Sequence, residues 1–329
     1  MTGPGRSNSS GGTLHDFAGW PAGPIHLAIG VFDGVHLGHQ ALIRHLAEGA
    51  RAAHATAVAA TFDPLPIEAL APAAPPSALS DADERVALLA AAGCDAVALF
   101  RFDASFAALT AREFVRRVAG AGNVVRMVVG PDFRFGHDRT GDVALLREMG
   151  RERVPPGETR VPPGETTGFA VDVFDPIEVN GAVVSSTRVR NALAAGDVEG
   201  AATLLGRPYE VPGTVVHGER RGRGLGFPTI NVATRPNRLL PKDGIYAVRT
   251  RIGGMRHDAA ASLGVRPTFG AGARWLEAYL LDFEGDLYGD LVHVSFIRRL
   301  RDELHFESPE ALAAQIAKDV EETRRALKR

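Results

Sequence analysis

The sequence is poor in cysteine, in lysine and in long apolar runs. Cys94 is the only cysteine among 329 residues, which excludes an intramolecular disulfide and a zinc site built from paired thiolates. No apolar run reaches the roughly 18 residues that a membrane helix needs, and the N-terminal stretch lacks the apolar segment of a signal peptide. We therefore expect a cytoplasmic protein with no membrane partner.

Lysine is found only at positions 242, 318 and 328, and none of the three follows a glycine. A Walker A loop is thereby excluded, because it needs Gly-Lys-Ser/Thr at a helix start to reach the phosphates. With 37 basic and 39 acidic side chains, the formal net charge is −2. That balance argues against a general nucleic-acid binder and allows only a local arginine patch, so no nucleic-acid partner is expected.

The length predicts two domains, and the first half has the pattern of an α/β fold. From Ile25 onward, short apolar runs alternate with amphipathic stretches, which is typical of a parallel sheet with crossover helices. LAIGVF at 27–32 and TAVAATF at 56–62 are predicted strands on either side of a helix over 38–54. Further predicted elements are strands at 96–100 and 124–130 and a helix at 108–120.

After Gly206 the sequence pattern changes to segments of alternating polarity that are separated by glycines. This pattern predicts antiparallel strands that close a small barrel or sandwich. A C-terminal helix is predicted to follow the N-cap Ser308, with Pro309 at its first position. We thus predict a flexible tail over residues 1–24, an α/β domain over 25–205 and a β-barrel domain over 206–329. The duplicated RVPPGET, at 153–159 and 160–166, is predicted to be a surface loop without a function.

The strongest chemical signal in the first half is GVFDGVHLGH at 30–39, where a strand should run into a helix. Glycines let the backbone approach a phosphate, and a helix N-terminus supplies free N–H groups. His36 and His39 would then aim at the same anion and stabilise charge that develops in nucleotidyl transfer. The alternative is a helix cap, a surface pair or an adventitious metal site.

Two further segments of the first half could join this site. SSTRVR at 185–190 precedes an apolar-periodic stretch, so its hydroxyls and arginines make a second anion site or else a simple N-cap. GPDFRFG at 130–136 directly follows a predicted strand, where α/β sheets place ligands, although its aromatic residues could also belong to the core.

In the second half, HGERRGRGLGFPTIN at 217–231 contains glycines and arginines that suit a loop closing over a polyphosphate. The Thr229 hydroxyl and the Asn231 carbonyl are hard oxygen ligands that suit Mg²⁺. In WLEAYLL, the period-two pattern places Glu277 on one strand face between Trp275 and Tyr279. If that face lines a cavity, Glu277 could accept a proton from a substrate hydroxyl, and otherwise it is a surface charge.

From about Ile25 to Leu327 the chain resembles the prokaryotic bifunctional riboflavin kinase/FMN adenylyltransferase (FAD synthetase) family. The segments that carry the resemblance occur in the family's order: GVFDGVHLGH, GPDFRFG, SSTRVR, GRGLGFPTIN, LPKDGIYAV, GVRPTFG, LEAYLLDFEGDLYG and RDELHFESPEAL.

For the first half, the resemblance implies a nucleotidyltransferase-like, Rossmann-like domain that transfers AMP from ATP to FMN and releases pyrophosphate. His36 and His39 match the family's HxGH pair on the ATP phosphates, and Asp132 and Phe133 match its flavin-contacting loop. The other residues that the resemblance places on ATP in this half are Gly30, Phe32, Asp33, Gly38, Ser186, Thr187 and Arg190.

For the second half, the resemblance implies a flavokinase barrel that phosphorylates the ribityl 5′-hydroxyl of riboflavin. Thr229 and Asn231 match the PTxN motif as ligands of Mg²⁺ and ATP, and Glu277 matches the catalytic base. Arg301 and Phe306 match the C-terminal segment that closes over the flavin. The glycine flap contributes the remaining predicted ATP contacts, which are Gly218, Arg221 and Gly226.

One departure from the family lies in TFDPLP at 61–66, where Leu65 occupies the position of a usual histidine. Leucine neither donates a hydrogen bond nor carries charge, so we predict reduced, but not absent, FAD synthesis. The main alternative is a riboflavin kinase whose first domain is a degenerate nucleotide-binding module. An RNA-associated module is a third reading, because HxGH and the SSTR signature also occur in tRNA-charging enzymes, but no RNA-binding domain is evident in the rest of the sequence.

Overall fold

The computed structural model describes residues 12–71, 78–152, 168–218, 226–265 and 274–328. The residue contacts divide the chain into two compact units, one ending at Val184 and the other beginning at Ser185. The duplicated RVPPGET lies outside the described residues. The predicted division between residues 205 and 206 stays a prediction of where one function ends and the other begins.

The first unit is built on a six-stranded sheet of parallel strands in the order β1-β4-β3-β2-β5-β6. Its strands are β1 Gly12–His15, β2 Pro24–Ile29, β3 Thr56–Asp63, β4 Ala96–Arg101, β5 Asn123–Val129 and β6 Ala170–Val173. Its helices are α1 Leu37–Ala52, α2 Pro66–Leu70, α3 Ala82–Ala91, α4 Ala104–Ala107, α5 Ala111–Gly120 and α6 Val143–Arg151. A short antiparallel hairpin, β7 Glu178–Val179 with β8 Ala182–Val183, follows the sheet.

The predicted strands and helices of this half are present, although the first strand is Pro24–Ile29 and not 27–32 as predicted. Their apolar periodicity matches the faces that they bury. On α1 the buried residues include Leu42, Ile43 and Leu46, at helical spacing. Full burial of one such side chain contributes about 1.5–3 kcal/mol, which is enough to fix this face against the sheet. Helix α5 begins at residue 111, later than the predicted 108, because Thr110 caps it: the Thr110 hydroxyl accepts a bond from the Glu113 amide at 3.3 Å.

The prediction of a flexible tail through residue 24 is wrong for residues 12–20. Strand β1 forms the edge of the sheet and pairs with β4, with Leu14 opposite Ala98 in the register. The Phe17 ring then packs on Phe100 with ring centroids 4.8 Å apart, and Trp20 stacks on the same ring at 6.4 Å. The glycine- and serine-rich composition of the N-terminal segment predicts a flexible tail and does not indicate these aromatic contacts.

The second unit is a closed antiparallel barrel in the order β10-β13-β12-β11-β14-β9, so the barrel alternative is confirmed over the sandwich. Two helices come first, α7 Ser186–Ala195 and α8 Val198–Leu205. The barrel strands are β9 Tyr209–Val216, β10 Ile230–Ala233, β11 Gly244–Ile252, β12 Met255–Val265, β13 Arg274–Leu280 and β14 Leu291–Arg301, and α9 Pro309–Leu327 ends the chain.

The terminal helix α9 is fixed at both its start and its middle. The Ser308 hydroxyl accepts a hydrogen bond from the Ala311 amide at 3.2 Å, which confirms the predicted N-cap. In the middle of the helix, the carboxylate of Asp319, 3% exposed, receives two hydrogen bonds from Arg301, with Nε to Oδ1 at 2.8 Å. None of the helices in the described segments has the length and apolar composition that crossing a bilayer requires.

Candidate active sites

The first candidate site lies where the strand order of the parallel sheet reverses direction. The chain passes from β2 to β3 on one side, whereas β5 returns to the other side of β2. Ligands bind at such a switch point, outside the carboxyl ends of the strands. The two segments that follow β2 and β5 are the turn at 30–36 and the loop at 130–136, so the fold brings two of the predicted motifs to adjacent strand ends.

The turn after β2 is compact because Gly30 within it and Gly38 just after it make room for neighbouring rings. A Cβ on Gly30 would lie 3.0 Å from the Phe32 ring, and one on Gly38 would lie 3.1 Å from the His36 ring. Phe32 is only 2% exposed and packs in the core. Any contact of Phe32 with ATP would therefore be made by its backbone, and that predicted contact stays a prediction.

The two histidines stand together at the start of α1. His36 is the N-cap, and its Nδ1 accepts a hydrogen bond from the His39 amide at 3.3 Å, which leaves the proton of a neutral His36 on Nε2. The rings stack with centroids 3.6 Å apart, and Phe32 meets His39 edge-on at 5.1 Å. Burial, followed by the neighbouring His36, lowers the pKa of His39 well below its ordinary value. Close to neutral pH, His39 is therefore a neutral N–H donor beside the backbone amides of a helix N-terminus.

Asp33 has a different environment from the one expected of a residue that meets ATP. It is 1% exposed, and its carboxylate accepts hydrogen bonds from the Leu79 amide at 2.9 Å and from the Ser80 amide at 3.0 Å. Asp33 therefore anchors the turn to residues 78–80, and its predicted contact with ATP stays a prediction. This network was not visible in the sequence, because its partners are 46 and 47 positions apart.

The neighbouring loops present one exposed carboxylate and one buried aliphatic side chain. Asp132 is exposed, and Phe133 is half-buried and stacks on Phe135 at 5.2 Å, so part of the predicted flavin loop faces solvent. Leu65 follows β3 and is 1% exposed, and its amide donates to the Glu68 carboxylate at 2.8 Å. The position where the resemblance expects a histidine is therefore occupied by a side chain packed in the interior.

The predicted second anion signature lies at the start of α7, in the second unit. Ser185 is the N-cap, and its hydroxyl accepts a hydrogen bond from the Arg188 amide at 3.3 Å. The alternative that a serine here caps the helix is therefore confirmed for Ser185. Ser186, Thr187 and Arg190 lie in the first turns of the helix, and their predicted contribution to the ATP site of the first half stays a prediction.

The second candidate site is on the outer face of the barrel. Along β13, Leu276, Ala278 and Leu280 are buried, whereas the intervening residues are half-buried, which confirms the period-two pattern. The register places Glu277 directly opposite Asn231 of β10 on one side and Ser262 of β12 on the other. Opposed residues have Cβ atoms about 4.5–5.5 Å apart. The barrel thus brings the predicted base and a predicted metal ligand into contact range.

Two glycines and one aromatic contact surround the pair formed by Glu277 and Asn231. A Cβ on Gly218 would lie 2.2 Å from Asn231 Nδ2, so only glycine leaves space for this 7% exposed amide. Gly226 has a φ of 84°, which favours glycine. Phe227 meets the Tyr279 ring edge-on at 5.4 Å and so fixes the chain two residues before Thr229. Arg221 lies outside the described residues.

The C-terminal segment gives a mixed outcome for the predicted flavin contacts. The Arg301 guanidinium is already bound to Asp319, so in this state it serves to hold α9. Phe306 is half-buried. Glu303, between them, was missed: its carboxylate oxygen lies 2.0 Å from where a Cβ on Gly264 would stand, which places this segment against the end of β12. The RDELHF motif was the signal that could have identified it. The contacts of Arg301 and Phe306 with flavin stay predictions.

Comparison with known families also divides the chain into two parts. The family model for FAD synthetase matches residues 22–188, and the family model for riboflavin kinase matches residues 205–327. A bifunctional riboflavin kinase/FMN adenylyltransferase from Pseudomonas fluorescens is 40% identical over 89% of this chain and 89% of its own length. The protein of that name from Escherichia coli strain K12 is 38% identical over 93% of this chain and 94% of its own.

Among solved structures, a crystal structure described as a macrolide-efflux protein from Streptococcus pneumoniae is similar along nearly the whole chain. It has a TM-score of 0.82 and 33% sequence identity, and the match covers 95% of this chain and 98% of that one.

Proposed function

The chain belongs to the bifunctional riboflavin kinase/FMN adenylyltransferase family, and from this membership we propose that His36 and His39 serve FAD synthesis while Glu277 serves riboflavin phosphorylation. The two reactions follow one another, because FMN is the product of the kinase and the substrate of the adenylyltransferase. ATP is the co-substrate of both. The kinase-only alternative is not favoured, since both family models match.

In the adenylyltransferase, a phosphate oxygen of FMN attacks the α-phosphorus of ATP, and pyrophosphate leaves. The attacking phosphate is already a good nucleophile, so the protein has to align it and to neutralise charge. The Nε2–H of His36 and the ring of His39 donate to phosphate oxygens on which charge grows. The lowered pKa of His39 supports this role, because a neutral imidazole stacked on a second one donates without the cost of placing two adjacent cations.

Ser186, Thr187 and Arg190 are proposed to complete the triphosphate contacts. The support is the course of the chain: the carbonyl oxygen of Val184, two residues before Ser186, lies 3.7 Å from where a Cβ on Gly38 would stand. An arginine and two hydroxyls in the first turns of a helix match the charge and geometry of a phosphate chain. Asp132 and Phe133 are proposed to contact the flavin from the adjacent loop.

In the kinase, the ribityl 5′-hydroxyl of riboflavin attacks the γ-phosphorus of ATP, and ADP leaves. Glu277 accepts the proton of that hydroxyl, which makes the oxygen a better nucleophile as the bond forms. Asn231, opposite Glu277 in the register, holds the phosphate side of the site next to the base. The observation that carries the kinase assignment is this pairing, because it joins two motifs that are 46 positions apart in the sequence.

Mg²⁺ is proposed as the metal that accompanies ATP at the kinase site. Thr229 and Asn231 offer a hydroxyl and an amide oxygen, which fit a small hard cation that keeps part of its coordination for phosphates. Among the residues that the structure describes, no group of three or more His, Cys, Asp or Glu could hold a metal. When bound, Mg²⁺ would neutralise charge on the transferred phosphoryl group.

The proposal is tested by separating flavins after incubation with ATP and Mg²⁺. Riboflavin should be converted to FMN and then to FAD. His39→Ala should abolish FAD formation from FMN and leave riboflavin phosphorylation intact, because the two residues belong to different units. Glu277→Gln should do the reverse. Loss of both activities in either single variant would contradict the assignment of the two reactions to separate sites. We also place the enzyme in the cytoplasm, where ATP is supplied.

A further inference from the structure

The turn that carries the histidine pair is held in a backbone conformation that its residues disfavour. Phe32 has a φ of 49° and Val35 a φ of 41°, and neither is a glycine. A β-branched residue such as Val35 rarely adopts this region, so the surroundings must hold the turn in place. Within the turn, the Val35 amide donates to the Phe32 carbonyl at 3.1 Å. The remaining restraints come from a distant part of the chain.

The first external restraint is a buried exchange of hydrogen bonds between the turn and residues 79–80. The Ser80 hydroxyl donates to the Asp33 carboxylate at 3.2 Å and accepts the Gly34 amide at 2.9 Å. Asp33 also accepts the amides of Leu79 and Ser80. Asp33 and Ser80 are each 1% exposed, so water does not replace these bonds. The hydroxyl of Ser80 therefore holds two consecutive residues in the middle of the strained turn.

The second restraint is the guanidinium of Arg85, which is 2% exposed on α3. Its Nη1 donates to the Ser80 carbonyl at 2.8 Å and its Nη2 donates to the Phe62 carbonyl at 2.6 Å. Phe62 lies near the end of β3, the strand beside β2. One side chain thus joins the segment that clamps the turn to the strand end from which the TFDPLP loop departs.

A buried cation with two carbonyl partners needs negative charge nearby to remain in place. Burial lowers the pKa of Arg85, and surrounding carboxylates act in the opposite direction by favouring the charged form. These carboxylates are Asp33, Asp63, Glu68 and Asp81. The charge of Arg85 is therefore balanced by the loops that it connects, so its removal would disturb all of them together.

We infer that Arg85 and Ser80 are positioning residues for adenylyl transfer, because they hold the strained turn in the geometry that directs His36 and His39 at the phosphates of ATP. Neither residue touches substrate in this account. The inference rests on the proposed synthesis of FAD by the first unit. It deepens that proposal, since it identifies what fixes the histidine pair relative to the neighbouring strand end.

The test compares Ser80→Ala and Arg85→Lys with the wild-type full-length protein. Both variants should lower kcat for FAD formation from FMN by between about 10-fold and 100-fold, since a shift of about 1 Å in a catalytic group is enough for such a loss. The KM for FMN should change by less than about 3-fold, because the flavin contacts are elsewhere. Ser80→Thr, which keeps the hydroxyl, should retain most of the wild-type kcat.

Two controls separate positioning from a general loss of structure. FMN formation from riboflavin, measured in the same samples, should stay within about 2-fold of wild type. Asp95→Ala removes a hydrogen bond of 2.8 Å to the Ala57 amide at the opposite end of β3, and it should leave kcat for FAD formation unchanged. The folded fraction of each variant, measured by circular dichroism, normalises the rates.

The outcomes divide clearly. A lowered kcat per folded molecule with rescue by Ser80→Thr supports the inference. An unchanged kcat in Ser80→Ala, beside a wild type that makes FAD, overturns it and leaves the proposed function standing. Ser80→Ala also decides the matter if Arg85→Lys fails to fold. A wild-type protein that makes no FAD overturns both the proposed function and this inference.

Discussion

The sharpest prediction for the kinase site concerns Gly218. Replacing it with alanine places a methyl group 2.2 Å from Asn231 Nδ2 and 2.5 Å from Cγ of the same side chain. Ordinary contact begins at 3.4 Å, so the amide must retreat by about 1 Å. Gly218 does not have a positive φ, so the backbone itself tolerates alanine. The effect of Gly218→Ala is therefore confined to the position of Asn231 and the space beside Glu277.

A displacement of this size in a positioned group costs on the order of 100-fold in rate. We expect riboflavin phosphorylation by Gly218→Ala to fall by about that factor, with a raised KM for ATP. FAD formation from FMN should remain at the wild-type rate. Gly12→Ala is the matched control, because a Cβ there meets no atom within 4 Å and Gly12 does not have a positive φ. A Gly218→Ala protein that phosphorylates riboflavin within about 2-fold of wild type would refute the assigned role of Asn231.

Three other perturbations have directions set by the same structure. Leu65→His should raise kcat/KM for FAD formation by about 10-fold, because one added hydrogen bond to a charged group contributes that much. Steady-state rates that show no gain would contradict the prediction that Leu65 weakens FAD synthesis. Burial, followed by Arg126, holds the pKa of His26 below its ordinary value. The free energy of unfolding is therefore highest above pH 6.5 and decreases as pH falls, by up to about 1.4 kcal/mol per pH unit. Measured by urea unfolding, the free energy of unfolding of His26→Asn should depend less steeply on pH. Asp319→Ala leaves Arg301 without its buried partner and should lower the free energy of unfolding by about 3 kcal/mol. Calorimetry that finds the barrel unit of this variant as stable as that of the wild type would contradict the stabilising role of the Arg301–Asp319 pair.

The sequence predicted those features that depend on local periodicity and on motifs. The helix after GVFDGVHLGH was predictable because Leu42, Ile43 and Leu46 recur at helical spacing. The half-buried face of β13 was predictable because apolar and polar residues alternate. The N-cap at Ser308 follows from the chemistry of one side chain. Such signals are contained within one turn or one strand.

The remaining features depend on contacts between residues far apart in the chain. Phe17 and Trp20, which follow strand β1, pack on Phe100, about 80 positions later. The glycine-rich sequence around β1 does not predict this contact. The clamp of Asp33 by Ser80 needs the register of the first unit. The bond between Arg301 and Asp319 was not predicted, because the buried carboxylate that offers two oxygens to this guanidinium lies 18 positions later, on α9. Each requires the tertiary structure.

The central claim, that one polypeptide carries two active sites that work independently, is tested most directly by mixing two variants that each lack one activity. Glu277→Gln should leave riboflavin unchanged, and His39→Ala should stop at FMN. An equimolar mixture supplied with riboflavin, ATP and Mg²⁺ should accumulate FAD, because FMN released by one protein reaches the intact site of the other. A mixture that forms FMN but no FAD, while the wild type forms FAD under the same conditions, would contradict the account.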